Sequence, residues 1–178
     1  MHKPSIRRQA GVTLVEMTAV LGITSVLLGS ALPDLSRMRA NQSLHQAVAQ
    51  LRTDVQFARA SAVALGQTVR LATATDTGGS CYVIHAGPSG SCQCAGAAAT
   101  CSAQGRLLHA AHLGTSHPVT VSANVSNMIF DGKLGTVTPT GTLTLAAAGG
   151  QQLKVVVNVM GRAHTCRAAG SISGYPAC

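Results

Sequence analysis

A single carboxylate, Glu16, interrupts an otherwise uncharged apolar run from Val12 to Leu32, and Lys3, Arg7, Arg8 and Gly11 come directly before that run. At about 1.5 Å rise per residue, a helix over Val12 to Leu32 covers roughly the 30 Å hydrocarbon core of a bilayer. An ionised carboxylate placed in hydrocarbon costs a few kcal/mol even on lenient insertion scales, so an acid at this position is a functional residue that needs a partner. The basic flank lies on the N-terminal side, which keeps residues 1–11 in the cytoplasm and sends the remainder across the membrane.

A cleaved secretory signal shares the basic start and apolar centre, but it ends in a small-residue cleavage site. Ser30-Ala31-Leu32 followed by Pro33 fits that poorly. Helical spacing also continues from Asp34 to Leu65, as expected of one long rod. Leu44, Val48, Leu51, Val55, Ala58, Ala62 and Leu65 recur at alternating steps of four and three, forming one apolar stripe. Arg52, Gln56 and Arg59 fall off the stripe and are expected to face water. Pro33 removes one helical hydrogen bond and crowds the preceding turn, so a bend is expected there. Gly66 is placed to end the helix in a left-handed cap. The helix thus divides into a membrane anchor over 12–32 and an amphipathic spine over 33–66.

Beyond Gly66 the pattern changes to short strand-like runs separated by Gly, Ser, Thr and Pro, the punctuation of an antiparallel sheet. Expected strands are Thr68–Thr73, Cys81–His85, Val119–Val125, Met128–Phe130, Gly141–Leu145 and Leu153–Val159. The last is rich in β-branched residues. With two Phe, two Tyr and no Trp, the core must come from Val, Leu, Ile and Ala, through packing of the sheet on the helix stripe. The fold class is therefore α+β, a long N-terminal helix packed on an antiparallel β domain over 67–178. A soluble part of roughly 145 residues is large enough to fold alone.

Six cysteines, an even number, follow in a region already placed outside the cytoplasm, so disulfides are expected. Residues 87–105 carry Cys92, Cys94 and Cys101 among small residues and read as a long surface loop. Cys166 with Cys178 is the preferred pair, since it ties a tail ending in Gly-Tyr-Pro-Ala-Cys back to the final strand. Closing so short a loop stabilises by about 3 kcal/mol. Zinc is the alternative for Cys92, Cys94 and Cys101, but their spacing is not that of structural sites. His109 and His112 lie three apart on a strand or loop, which does not put them on one face. No metal or cofactor is therefore expected.

After Glu16 the only acids are Asp34, Asp54, Asp76 and Asp131, widely spaced, and there is no nucleophile elbow, phosphate loop or His-Glu-x-x-His. These absences argue against an enzyme. Charge points elsewhere: after Asp131 come Lys133, Lys154, Arg162 and Arg167 with no acid. An acid-free basic region attracts phosphates or other polyanions. The alternative is a solvated edge whose charge discourages aggregation.

Gly11-Val12-Thr13-Leu14-Val15-Glu16 resembles the processing site of type IV pilins and type II secretion pseudopilins. The resemblance implies cleavage by a prepilin peptidase after Gly11, methylation of the new N-terminus at Val12, and Glu16 as the fifth mature residue. Pro33 then falls at mature position 22, where the family has a helix-bending proline. Val12 departs from the usual Phe or Met. In a filament of such helices, Glu16 of one subunit meets the α-amino group of Val12 on its neighbour, and the opposite charge offsets much of its desolvation. A glutamate snorkelling to the nearby membrane surface is the alternative.

The C-terminal half is similar to GspH/FimT-type pseudopilins: Phe130-Asp131-Gly132, Pro139-Thr140-Gly141-Thr142, then a strand and Gly161-Arg162-Ala163-His164. The resemblance implies a minor pilin or pseudopilin of a type IV pilus or type II secretion filament. It would be anchored in the bacterial inner membrane with its C-terminal domain periplasmic, partnered by other pilins. Some FimT-type members are DNA receptors with a Gly-Arg-x-Arg motif. Carried across, Gly161 and Arg162 match and His164 replaces the second arginine, leaving one permanent charge fewer at neutral pH. On that alternative Lys154, Arg162, His164 and Arg167 contact DNA. A plain membrane-anchored periplasmic domain is the third reading.

Overall fold

The computed structural model of the 178-residue chain describes residues 11–95, 98–116, 118–170 and 172–178; the side chains at 30–34, 36 and 95 fall outside that description. Residues 1–10, with Lys3, Arg7 and Arg8, lie outside the described residues, as does the side chain of Pro33, where a bend is expected. Two compact units divide between Met38 and Arg39.

Helix α1 spans Leu14–Leu65. Thr13 starts it: its Oγ1 accepts a hydrogen bond from Glu16 N at 3.3 Å, and its carbonyl accepts one from Met17 N. That satisfies one of the N–H groups every helix start leaves over. The C-terminal end is closed by Gly66 at φ +61°. Gly66 N donates to Val63 O, and Gln67 N to Ala62 O, the two reversed bonds of a Schellman cap.

The second unit contains eleven strands among its described residues: β1 Val69–Asp76, β2 Gly79–Ala86, β3 Cys92–Ala95, β4 Ala98–Cys101, β5 Arg106–Gly114, β6 Val119–Ala123, β7 Asn127–Phe130, β8 Val137–Thr138, β9 Gly141–Ala147, β10 Gln152–Val157 and β11 Ala163–Ala169. They form a five-stranded sheet ordered β5-β2-β1-β7-β8, a four-stranded sheet ordered β11-β10-β9-β6, and the β3-β4 hairpin. Every pairing between these strands is antiparallel. Leu44, Val48, Leu51, Val55, Ala58 and Ala62 are all buried and share one core with the inward residues of both sheets. Leu65, at the end of the stripe, is exposed. The largest fully buried side chains are Phe130, Leu44, Leu51 and Leu71. Truncating one of these side chains to alanine would cost about 2–5 kcal/mol. Ser80 ties the sheets together, its Oγ accepting from Val121 N at 2.8 Å.

Residues 87–105 are not simply a loop. Cys92 pairs with Cys101 across β3-β4 and the two are bridged, while Cys81 of β2 is bridged to Cys94. Covalent links replace the apolar bulk that the stretch lacks, which is why composition alone suggested no strands. The hairpin covers the outer face of β2, so Cys81 and Val83 pack against it while Tyr82 and Ile84 enter the main core. β5 and β11 were also absent from the expected strands; both are poor in β-branched residues, and pairing with β2 and β10 holds them extended.

Gly132 marks where the chain passes the helix cap: a Cβ there would lie 2.4 Å from Gln67 N. Asp131 beside it is committed to local structure, its Oδ1 accepting from Lys133 N and Leu134 N at 2.8 and 2.7 Å. Those bonds hold its carboxyl below the usual carboxylate range.

His85 is fully buried on β2, with Nδ1 3.3 Å from Ser91 Oγ; that hydroxyl donates to Pro88 O, so Nδ1 is the donor to it. Burial, reinforced by the charge of Arg70, lowers its pKa against a smaller opposing backbone contribution from Ala86. Because the folded value is depressed, the unfolded chain takes up the proton first. The stabilising contribution is complete above the unfolded value, about 6.5, and is lost as pH falls from there through the folded value. Urea midpoints are expected to drop between about pH 7.5 and about pH 5, and His85→Gln to flatten that slope. An unchanged slope in the variant would remove His85 as its source.

Candidate functional site

Two regions carry the residues singled out by the sequence. In the first, every apolar side chain larger than alanine from Leu14 to Leu28 is 51–81% exposed. These side chains lie all round the helix, the pattern of a segment that is covered by lipid or by other helices. Its hydroxyls are satisfied from within. Thr18 donates to Val15 O, Thr24 to Val20 O and Ser25 to Gly22 O, at 2.8–2.9 Å. A hydroxyl bonded to its own helix enters an apolar environment at low cost. Glu16 is different: among the described residues its exposed carboxylate has no side-chain partner. Among the described residues, too, no helix is long and apolar enough to cross a membrane. The span expected over Val12–Leu32 includes Ser30–Leu32, whose side chains are outside the description.

In the second region, Asn158–Arg162 forms the β10-β11 turn. Gly161 N donates to Asn158 O, and Asn158 Oδ1 accepts from Arg162 N at 2.9 Å. Gly161 has φ +71°, and a Cβ there would come within 2.7 Å of Arg59 Cδ. The glycine of the Gly-Arg pair thus lets the turn rest on the helix. Two side chains expected to face water tie the helix to turns here: Gln56 donates to Gly161 O of this turn at 3.2 Å, and Arg59 Nε to Gly135 O of the turn after Asp131 at 3.1 Å. Their carbonyl partners come from distant turns, which helical periodicity does not reveal.

The four basic candidates separate. Arg162 is exposed on the turn. Lys154 and His164 belong to register pairs Lys154↔Cys166 and Val156↔His164, on the outer face of the four-stranded sheet. Arg167 pairs with Leu153 on the opposite face. There its Nη1 donates to Ile172 O at 3.2 Å, its N–H to Pro176 O, and its carbonyl accepts from Cys178 N. Arg167 holds the C-terminal tail, alongside the Cys166–Cys178 bridge. Arg167 is therefore separated from the outer-face cations because alternate residues of a strand face opposite ways.

Sequence reasoning missed a buried network. Asp54, only 4% exposed, accepts from Tyr82 Oη at 2.5 Å and from Gln50 Nε2 at 2.9 Å. His109 Nε2 lies 3.2 Å from Asp54 Oδ2, at ion-pair distance though off hydrogen-bond alignment. Burial first, then the bond to Asp54, pushes the Tyr82 phenol far above its ordinary range, so it stays a neutral donor. His109 thus sits at the edge of this network, its side chain 36% exposed. The signal in the sequence was an acid immediately before Val55 of the apolar stripe. Thr13 was missed as well, although Thr-x-x-Glu before an apolar run is a helix-start signature. All six cysteines are in bridges, and the described residues contain no cluster suited to a metal.

The long helix on an antiparallel sheet domain is the type IV pilin-like α+β architecture. The family model for the type II transport protein GspH matches residues 47–161, and that for the prokaryotic N-terminal methylation motif matches residues 6–32. The chain belongs to the GspH family and is a GspH/FimT-type pseudopilin. Comparison with curated proteins gave no match, and neither did comparison with solved structures. The family is a structural filament component, which implies association with other pilins. The methylation motif implies processing by prepilin peptidase and a membrane-anchored subunit.

Proposed function

We propose that this pseudopilin is a minor subunit acting in filament assembly or initiation. It is held before assembly as a single-pass inner-membrane protein with residues 1–11 cytoplasmic and residues 33–178 periplasmic. The observation that carries this reading is the segment from Leu14 to Leu28: apolar on all sides, its hydroxyls self-bonded, with one acid left over. Such a segment suits both lipid and a bundle of like helices, which is what a subunit moving between the two requires. Cleavage after Gly11 frees the Val12 amine, and pairing with Glu16 of a neighbour sets the axial register. Mass spectrometry of the membrane form is expected to find a methylated N-terminus at Val12. An intact Met1 in assembled material would overturn the reading.

A second reading, a DNA receptor at the pilus tip, is favoured by one observation: Arg162 is exposed on a turn next to the outer face that carries Lys154 and His164. Phosphate contacts make affinity fall steeply with salt. Arg162→Ala with Lys154→Ala is expected to weaken duplex DNA binding at low salt and make its salt dependence shallower, whereas Arg167→Ala acts by loosening the tail. Unchanged DNA affinity in the first pair would remove this reading.

A further inference from the structure

Two adjoining depressions on α1, of about 320 and 440 Å³, share Gln56 as a common wall, and the first also reaches Ala163 of β11. Arg52 and Arg59 line them, the floor is mostly alanine, and no acid contributes. At the Arg59 end two turns converge. Cβ positions at Gly135 and Gly161 would lie 3.2 and 2.7 Å from Arg59 atoms, and Val137 N donates to Val159 O. The residues beside those glycines stand out into solvent: Leu134 is 74% exposed, and Val159 and Met160 are each 53% exposed. Arg162 is exposed on the same turn. The result is a cationic groove opening onto an apolar rim.

We infer that this groove docks an acidic amphipathic segment of a different protein chain, one presenting carboxylates to Arg52 and Arg162 and apolar side chains to Leu134 and Met160. A second copy fits badly. The chain has thirteen Lys and Arg against five acids; Asp54 is buried, and Asp131 is engaged by its own turn. Copies brought together at this face would repel. A nucleic-acid backbone would satisfy the arginines and leave the apolar rim uncovered, whereas a helix with a carboxylate-flanked apolar stripe satisfies both. The inference builds on the filament reading by stating that the neighbour at this face is unlike and acidic.

The test uses the full chain in detergent micelles, with anisotropy of three labelled probes. They are a helical peptide of about 20 residues with a Leu/Ala stripe flanked by Glu, a scrambled peptide of the same composition, and a duplex DNA of similar charge. The striped peptide is expected to bind about tenfold tighter than the scrambled one. L134S with M160S, and separately R52E with R162E, should each weaken it about tenfold. All four residues are exposed, and circular dichroism confirms that the variants fold. Equal binding of the two peptides, or indifference of the striped peptide to the serine pair, would overturn the inference. So would DNA binding tighter than the peptide and sensitive to the arginine pair alone. Failure of the filament reading is scored separately, by absence of the wild-type chain from purified filaments.

Discussion

Glu16→Ala is expected to leave the protein processed and in the membrane while its incorporation into filaments falls by more than tenfold. The variant removes no side-chain contact among the described residues, and the helix start survives because Thr13 accepts from the backbone N–H of residue 16. Stability of the β domain should therefore not move. On the proposed filament pairing, what changes is the partner of the freed Val12 amine. In a bundle of apolar helices that charge would lose its counter-ion, and an unpaired buried charge costs about 3–5 kcal/mol. By Boltzmann weighting even half of that exceeds a tenfold shift. Glu16→Gln separates charge from shape: it keeps the length and a hydrogen-bonding end but should incorporate almost as poorly as alanine. Quantifying mature subunit in the membrane and sheared-filament fractions reads both effects. Wild-type incorporation of Glu16→Ala would discard the pair.

Asp54→Ala should be among the most destabilising single substitutions in the β domain, by roughly 2–4 kcal/mol. Asp54 is the common acceptor for Tyr82 and Gln50 and lies beside His109, so its loss strands the buried Tyr82 hydroxyl. Tyr82→Phe removes one arm only and leaves Asp54 with Gln50 and His109; its cost should be nearer 1 kcal/mol. The two changes together should cost less than their sum, since alanine at 54 and phenylalanine at 82 leave neither group stranded. Urea denaturation of the four species of this cycle gives the coupling. Strict additivity would show that the network contributes nothing as a unit.

How much of this was legible in the sequence depends on the range of the interaction involved. The helix stripe from Leu44 to Ala62 and its cap at Gly66 were readable because both follow from neighbours within two turns. The β-branched run of β10 was readable for the same reason, although the strand ends at Val157 and not Val159, where Asn158 begins the turn. β11 was not readable: Ala-His-Thr-Cys-Arg-Ala-Ala has little strand preference of its own, and it is held by pairing with β10 and by the tail. Nor could the sequence show that Arg167 lies on the opposite strand face from Lys154 and His164, with its guanidinium reaching Ile172 O. Gln56 is exposed as expected and Arg59 half-buried, but the bonds both make could not be read because their partners, Gly161 and Gly135, are remote in the chain.

What the sequence determined by itself is the family and its N-terminal methylation motif: a glycine, an apolar run and one acid five residues beyond that glycine, all of them local patterns. The tertiary structure alone decided which strand faces the cations occupy, how Asp54 meets Tyr82, and why Gly161 must be a glycine. Each depends on two distant segments arriving at the same place, and a linear pattern carries no measure of that distance.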